Sequence, residues 1–346
     1  MNPAEFGRWV WGRGPGARAM RAALLPLSTV YGAAIGVRTA AYRAGLLSRS
    51  SLPLPAVGVG NLTVGGSGKT PLAAWIAQYY GSRGWKPGIL LRGYGGDEGL
   101  VHERLVPGAV VVADPDRVAG ARRAASQGAS VLVLDDAFQL LKVRRDLNVL
   151  VVGAESLEAV PWLLPAGPWR ERWSALDRAD VVVVTRKRVG ADAAAAAADH
   201  LAARRPRVPV CVARLRLVRL EGLASGSSSS VERLAGRRVV AAAGIADPET
   251  FAAQLEALGA SVQLQPYQDH QRFDTTDIAA LVRAASGADY VVVTEKDAVK
   301  LRGRWPAGAA EPLVAALGVE WERNGEQMEQ ALGAVPRAAR SPVSEF

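Results

Sequence analysis

Thr63-Val64-Gly65-Gly66-Ser67-Gly68-Lys69-Thr70 is the stretch whose reading decides the fold. It follows the apolar run 54–59 and precedes Pro71 and the helix-like Leu72-Ala73-Ala74-Trp75-Ile76-Ala77, so the order is strand, glycine loop, helix. A loop of this kind turns successive backbone N–H groups toward an anion, and the N-terminus of the following helix adds partial positive charge. Lys69 can then reach the outer phosphates of a nucleotide, and Thr70 can offer its hydroxyl to Mg²⁺. The first glycine of the usual G-x-x-x-x-G-K-[ST] pattern falls at Thr63, and Gly65 and Gly66 supply the backbone freedom instead. A plain glycine-rich turn with a chance Lys-Thr would not require a strand before it and a helix after it; both are present, which favours a phosphate loop.

Working outward, apolar runs end on polar residues. Pro87-Gly88-Ile89-Leu90-Leu91 leads into Arg92 and, after a glycine-rich turn, Asp97-Glu98. Val131-Leu132-Val133-Leu134 leads into Asp135-Asp136. Runs at 109–113, 147–152 and 181–184 read as further strands, and 116–127 and 192–205 as helices. Continuous Val/Leu runs alternating with helical stretches indicate a parallel sheet covered on both faces. Ligands of such sheets bind at the carboxyl ends of the strands, where the phosphate loop, Arg92, Asp97 and the Asp135-Asp136 pair all fall. A second set follows: a strand at 239–243, a helix opening at Asp247-Pro248-Glu249, a strand at 262–266, a helix capped by Asp274, and a strand at 290–293 ending in Thr294-Glu295-Lys296-Asp297.

The expected fold class is therefore α/β: a P-loop NTPase-like parallel-sheet domain and a smaller C-terminal α/β domain. Strands 210–220 and 313–321 join the two as a hinge. Expected boundaries are 1–50 for an N-terminal amphipathic region, 51–209 for the phosphate-loop domain, 210–335 for the second domain with its linker strands, and 336–346 for a tail. The serine-rich stretch 222–230 reads as a flexible linker or loop.

Composition narrows the function. The 346 residues are 49% hydrophobic, which is globular rather than disordered. A single cysteine, Cys211, excludes an intramolecular disulfide, and three histidines speak against a histidine-rich metal centre. The net charge of +9 suggests an anionic partner. Zinc-finger spacing and aromatic-interleaved basic stripes are missing, which argues against nucleic acid. In residues 1–50, Phe6, Trp9, Val10 and Trp11 sit among Arg8, Arg13, Arg18 and Arg21, and an Ala-rich apolar stretch follows. Its uncharged part, 22–37, is short for a membrane span and contains Pro26. An amphipathic segment lying in the interface of an anionic membrane fits better, the plainer option being a helix packed on its own domain.

Asp135-Asp136 at a strand end beyond a phosphate loop suits Mg²⁺, which takes one or two carboxylates, a Thr hydroxyl and phosphate oxygens. Caps of the next helix would use the same residue type. Asp97 and His270 could form a carboxylate–imidazole pair that removes a proton from an acceptor hydroxyl, while an isolated histidine serves equally as a structural hydrogen-bonder. Arg92, Arg117, Arg170 and Arg172 could clamp phosphates, and the residues alone do not choose among them.

At this point the chain resembles a known family. Gly60-Asn61-Leu62-Thr63-Val64-Gly65-Gly66-Ser67-Gly68-Lys69-Thr70-Pro71 is similar to the signature of tetraacyldisaccharide 4'-kinases, the lipid A 4'-kinases of Gram-negative bacteria. The resemblance continues through Arg92-Gly93-Tyr94, Gly96-Asp97-Glu98, Asp135-Asp136-Ala137-Phe138-Gln139, Gly167-Pro168-Trp169-Arg170-Glu171, Asp269-His270 and Thr294-Glu295-Lys296-Asp297-Ala298-Val299-Lys300-Leu301. It implies transfer of the γ-phosphate of ATP, with Mg²⁺, to the 4'-hydroxyl of a tetraacyl glucosamine disaccharide 1-phosphate. The expected place is the anionic cytoplasmic face of the inner membrane, with no nucleic acid and no obligate protein partner. It implies that Asp97 is the general base with His270 as helper, that Lys69 is catalytic, and that residues Thr63 to Thr70 with Gln139 hold the nucleotide. It further implies Thr70, Asp135 and Asp136 at the metal, and Asn61, Arg92, Arg170 and Glu171 on the acceptor side. Ala137 and Leu140 depart from the family's Asp-Asp-Gly-Phe-Gln-His, and the segment between Tyr94 and Gly96 is short. Two rival functions are a switch ATPase of the partitioning or metallochaperone type and a non-catalytic membrane-binding scaffold.

Overall fold

A computed structural model describes residues 3–12, 14–93, 97–157, 161–269 and 271–338. Two helices precede the sheet, α1 (Pro3–Val10) and α2 (Pro15–Arg43). α2 runs through Pro26 for 29 residues. One proline removes a single i to i−4 hydrogen bond, and the alanine- and leucine-rich flanks carry the helix on. By length and apolar composition α2 is long enough to cross a membrane. Only Ala17 and Ser28 of it are buried, while Leu27, Val30 and Val37 stand exposed. Its attachments to the body include Ser28 Oγ, which donates to Leu163 O (3.0 Å) and accepts from Ala166 N–H (3.0 Å), Tyr31 OH donating to Arg170 O (3.1 Å), Arg38 to Gln139 O (3.2 Å), and Arg43 paired with Asp177 (4.0 Å).

The expected strand–loop–helix unit forms as β1 (Ala56–Asn61) and α3 (Lys69–Gly81). Then follow β2 (Pro87–Leu91), α4 (Asp97–Leu105), β3 (Val110–Ala113), α5 (Arg117–Ser126), β4 (Val131–Leu134), β5 (Leu147–Gly153), β6 (Val181–Arg186), α6 (Ala191–Arg204) and the long β7 (Val210–Gly222). The second half contains β8 (Ser228–Ser229), β9 (Arg238–Ala243), α7 (Pro248–Glu256), β10 (Ser261–Pro266), α8 (Thr275–Ala285), β11 (Tyr290–Thr294), α9 (Glu295–Leu301), β12 (Leu313–Arg323) and α10 (Gly325–Ala338). Asp116, Asp247 and Asp274 cap their helices by accepting backbone N–H bonds, the last as the sequence predicts.

All strands join one sheet in the order β10-β9-β11-β12-β7-β6-β5-β1-β4-β2-β3, with β8 on β7. Neighbours pair in parallel except β12 and β8 against β7. β1 lies between β4 and β5, so the chain turns both ways from it and leaves a crevice at its carboxyl end. Every residue of β1, β2 and β4 is buried, which explains their continuous apolar runs. On one face α3 buries Leu72, Ile76 and Tyr80; on the other Leu62, Phe138 and Trp169 pack with α6. Each such aliphatic side chain contributes roughly 1.5–3 kcal/mol.

The hinge strands are as expected. β7 pairs with β6 over 210–214 and with β12 along its length, and β12 pairs with β11 over 313–315. Between these contacts the ribbon 215–219 with 316–319 links the two halves, and α4 packs on α9 beside it, with Asp97 3.2 Å from Lys300. Two expectations need correction. The stretch 222–230 is not a loose linker: the Ala224 and Ser225 N–H groups and the Ser225 hydroxyl all bond to the Glu311 carboxylate. The terminal segment is not a tail from 336: α10 continues to Ala338 and packs Met328, Leu332 and Val335 into the core of the first half. Tyr79 and Tyr80 fix it by donating to Glu329 O and Leu332 O, each at 2.9 Å. The last helix thus covers the first sheet face rather than the 210–335 unit.

Candidate active site

The phosphate loop turns on Gly65 (φ +120) and Gly68 (φ +87), conformations that side chains disfavour. At Gly68 a Cβ would also collide with Leu215 Cδ1 of β7. Behind the loop, Thr185 Oγ1 donates to Ser67 O (2.7 Å) and Lys187 Nζ to Gly66 O (2.8 Å). These bonds occupy two carbonyls that an anion would otherwise meet. Asn61, expected on the acceptor side, is instead fully buried: its side-chain amide donates to Ser67 Oγ (2.8 Å) and its backbone carbonyl accepts from Gln139. Thr63 is buried too, bridged to Trp169, so the part of the loop open to a ligand begins at Gly65.

Lys69 and Thr70 open α3 and face the end of β4. Thr70 Oγ1 donates to Asp135 Oδ2 (3.2 Å), and the Asp136 N–H donates to Asp135 Oδ1 (2.8 Å). Burial works to raise the Asp135 pKa, but the hydrogen bond from His102, the charge of Lys69 and the Asp136 N–H together hold it below the usual carboxylate value. A hydroxyl beside one carboxylate is a hard oxygen donor pair, which fits Mg²⁺ sharing its remaining positions with phosphate and water. Among the described residues no cluster of three or more His, Cys, Asp or Glu could hold a metal alone.

Asp136 follows with φ 50, a left-handed turn that Asp tolerates better than most residues. The turn presents its carboxylate to Arg170 NH1 (2.9 and 3.0 Å) and Lys69 Nζ (3.7 Å). Burial lowers the Lys69 pKa, with both aspartates opposing it. Gln139 accepts from Arg170 (3.3 Å) and donates to Glu171 (3.0 Å). Glu171, expected to contact the acceptor, is buried against Arg178 (2.8 Å) and acts one layer back, orienting Gln139.

Asp97 starts α4, an unforeseen helix whose buried positions Asp97, Val101, His102 and Leu105 follow helical spacing. Its carboxylate is buried 3.2 Å from Lys300 Nζ of α9, which also lies 3.7 Å from Asp297. Glu98 rather than Asp97 lines the cavity beside the loop. His270 lies outside the described residues, so its expected pairing with Asp97 is not described; Asp269 lines the cavity. Sequence reasoning missed His102, Lys187, Glu295 and Lys300. The helical spacing from Asp97 to Leu105 was the available signal for His102.

These groups surround one cavity of about 900 Å³. The phosphate loop, Arg92, Arg117, Asp135, Asp136 and Arg170 line it from the first half, Phe251 and Lys296 from the second, and Tyr31 and Arg38 from α2. The phosphate site thus extends to the exposed apolar helix α2.

A family profile described as Tetraacyldisaccharide-1-P 4'-kinase matches residues 20–336. A protein of Pelobacter propionicus named tetraacyldisaccharide 4'-kinase is 37% identical over 327 residues, covering 87% of this chain and 88% of its own. One of Anaeromyxobacter dehalogenans with the same name is 38% identical over 360 residues, covering 93% of both. The crystal structure of an "apo" form of LpxK from Aquifex aeolicus in complex with ATP superposes with a TM-score of 0.71 at 27% identity, covering 91% of this chain and 99% of that one.

Proposed function

The chain belongs to the tetraacyldisaccharide-1-P 4'-kinase family, and from that premise we propose how its residues carry out the transfer. It is an ATP-dependent kinase of lipid A biosynthesis that phosphorylates the 4'-hydroxyl of a tetraacyl glucosamine disaccharide 1-phosphate. The observation that carries the reading is the convergence of phosphate loop, paired aspartates and α2 on one cavity.

The loop from Gly65 to Thr70 cradles the phosphates, and Lys69 with Arg170 offsets charge on the transferring group. Thr70 and Asp135 would hold Mg²⁺, which when bound neutralises charge on the β- and γ-phosphate oxygens. Asp136 is assigned to holding Lys69 and Arg170 in place, and Gln139 to steadying Arg170. The acceptor hydroxyl loses its proton to Asp97 while its oxygen forms the new O–P bond. The bond from γ-phosphorus to the bridging oxygen breaks, and ADP leaves. His270 keeps its assignment as helper of Asp97, and Arg92 its assignment to the acceptor. The halves act as functional domains, 51–209 together with α10, and 210–324.

The exposed apolar face of α2 and the net charge of +9 support docking on an anionic membrane, at the cytoplasmic face of the inner membrane. No nucleic acid or obligate protein partner belongs to this scheme. A second reading of the base is favoured by one observation: Glu98 lines the cavity. Transfer of labelled γ-phosphate to the disaccharide lipid tests the function. Asp97→Asn should abolish transfer with ATP affinity near normal, and Glu98→Gln should retain it. The opposite pattern would move the base to Glu98, and ATP hydrolysis with no labelled lipid would overturn the kinase reading.

A further inference from the structure

His102 has no part in the mechanism above, yet it touches its centre. The imidazole is fully buried on α4, and its Nε2 stands 3.0 Å from Asp135 Oδ2. That oxygen is also the one that accepts from Thr70. With a carboxylate oxygen as partner, Nε2 carries the proton, and Nδ1 is left as a buried acceptor with no hydrogen-bond partner. A leucine in the same place would fill the space and leave no polar atom unpaired. Packing alone therefore gives no reason for an imidazole here, whereas the bond to Asp135 does.

We propose that His102 is a positioning residue: its Nε2–H fixes the Asp135 carboxylate in the rotamer that faces Thr70, and so sets the affinity of that pair for a divalent cation. The proposal rests on the reading that Asp135 and Thr70 hold the metal. Asp135 Oδ1 is held by the Asp136 N–H and Oδ2 by Thr70 and His102, so rotation of the carboxylate breaks bonds at both oxygens. The Thr70 hydroxyl must turn its own proton elsewhere to offer a lone pair to a cation. His102 is then the protein donor that remains on Oδ2. Outer partners of this kind commonly change metal affinity or activity by about 10–100-fold.

The test measures Mn²⁺ binding by electron paramagnetic resonance, on full-length protein holding a non-hydrolysable ATP analogue. Asp135→Ala should abolish tight binding; if it does not, the assignment of Asp135 to the metal falls, whatever His102 does. With that control passed, His102→Leu should weaken Mn²⁺ by about tenfold and leave metal-free binding of the analogue unchanged. His102→Gln, whose Nε2 can reach the same oxygen, should recover most of the affinity, and His102→Asn, whose amide is too short, should not. The Mg²⁺ half-saturation of turnover should rank the variants in the same order. Native Mn²⁺ affinity in the Leu variant overturns the proposal. Should that variant fail to fold, equal affinities in the Gln and Asn variants overturn it.

Discussion

Lys300→Met removes a cation from between two buried carboxylates while keeping most of the side-chain volume. Lys300 Nζ lies 3.2 Å from Asp97 Oδ2 and 3.7 Å from Asp297 Oδ1, with side-chain exposures of 11%, 10% and 0%. Breaking a buried pair by removing one partner costs about 3–5 kcal/mol. Asp297 keeps its bonds from Gly244 N–H (2.9 Å) and Thr294 Oγ1 (2.6 Å), which places the loss near the low end. About 3 kcal/mol corresponds to roughly 4 °C in Tm for a chain of this length. Urea unfolding at fixed slope measures it, with Lys300→Arg as the variant that retains the charge. The pH dependence has a definite sign. Burial already pushes the Asp297 pKa up, and loss of the ammonium pushes it further. A carboxyl raised on folding gives stability that is present below its unfolded pKa and lost as pH rises through the folded value. The deficit of the variant should therefore be largest near pH 8 and shrink on acidification. A loss under about 0.5 kcal/mol at pH 8, small beside the cost of breaking a buried pair, or a deficit that grows toward pH 5, would refute the reasoning.

Two further outcomes are expected. Burial pushes the Glu295 pKa from 4.5 up to about 7, against the Leu317 N–H bond and Arg104. Its stabilising contribution is complete below pH 4.5 and lost through pH 7, so Glu295→Gln should leave Tm unchanged at pH 5 and raise it at pH 8. A lower Tm at pH 8 would contradict this. Replacing exposed Leu27, Val30 and Val37 together by Glu should weaken co-sedimentation with anionic vesicles by about tenfold or more, since each buried aliphatic side chain is worth roughly 1.5–3 kcal/mol. The thermal midpoint should stay put, and undiminished vesicle binding would remove α2 as the docking element.

The parallel core was legible because its strands are buried on both faces and so read as unbroken Val and Leu runs. The phosphate loop was legible because its glycines and Lys-Thr are local, and the hinge strands because their alternation is long. α4 was hidden by its brevity and by the glycines before it, and with it the contacts of His102 and Lys300. Those contacts join residues 33 and about 200 positions apart, which no local pattern encodes. α10 was missed because its buried face rests on Tyr79 and Tyr80, a partner far back in the chain. Asn61 and Glu171 were placed one layer too far forward, since sequence marks a motif without telling its lining from its support.

The ribbon of β7 and β12 also has a mechanical consequence. A body hung from one strand can swivel about it, but a body hung from two hydrogen-bonded strands can do little except bend across their flat face. α10 anchors the return leg in the core of the first half, and the Asp97–Lys300 pair between α4 and α9 is a second tie beside the ribbon. Leu215 of that ribbon lies directly against Gly68, so the ribbon bears on the phosphate loop itself. Any change in the packing of Leu215 is therefore felt first at Gly68, inside the phosphate loop.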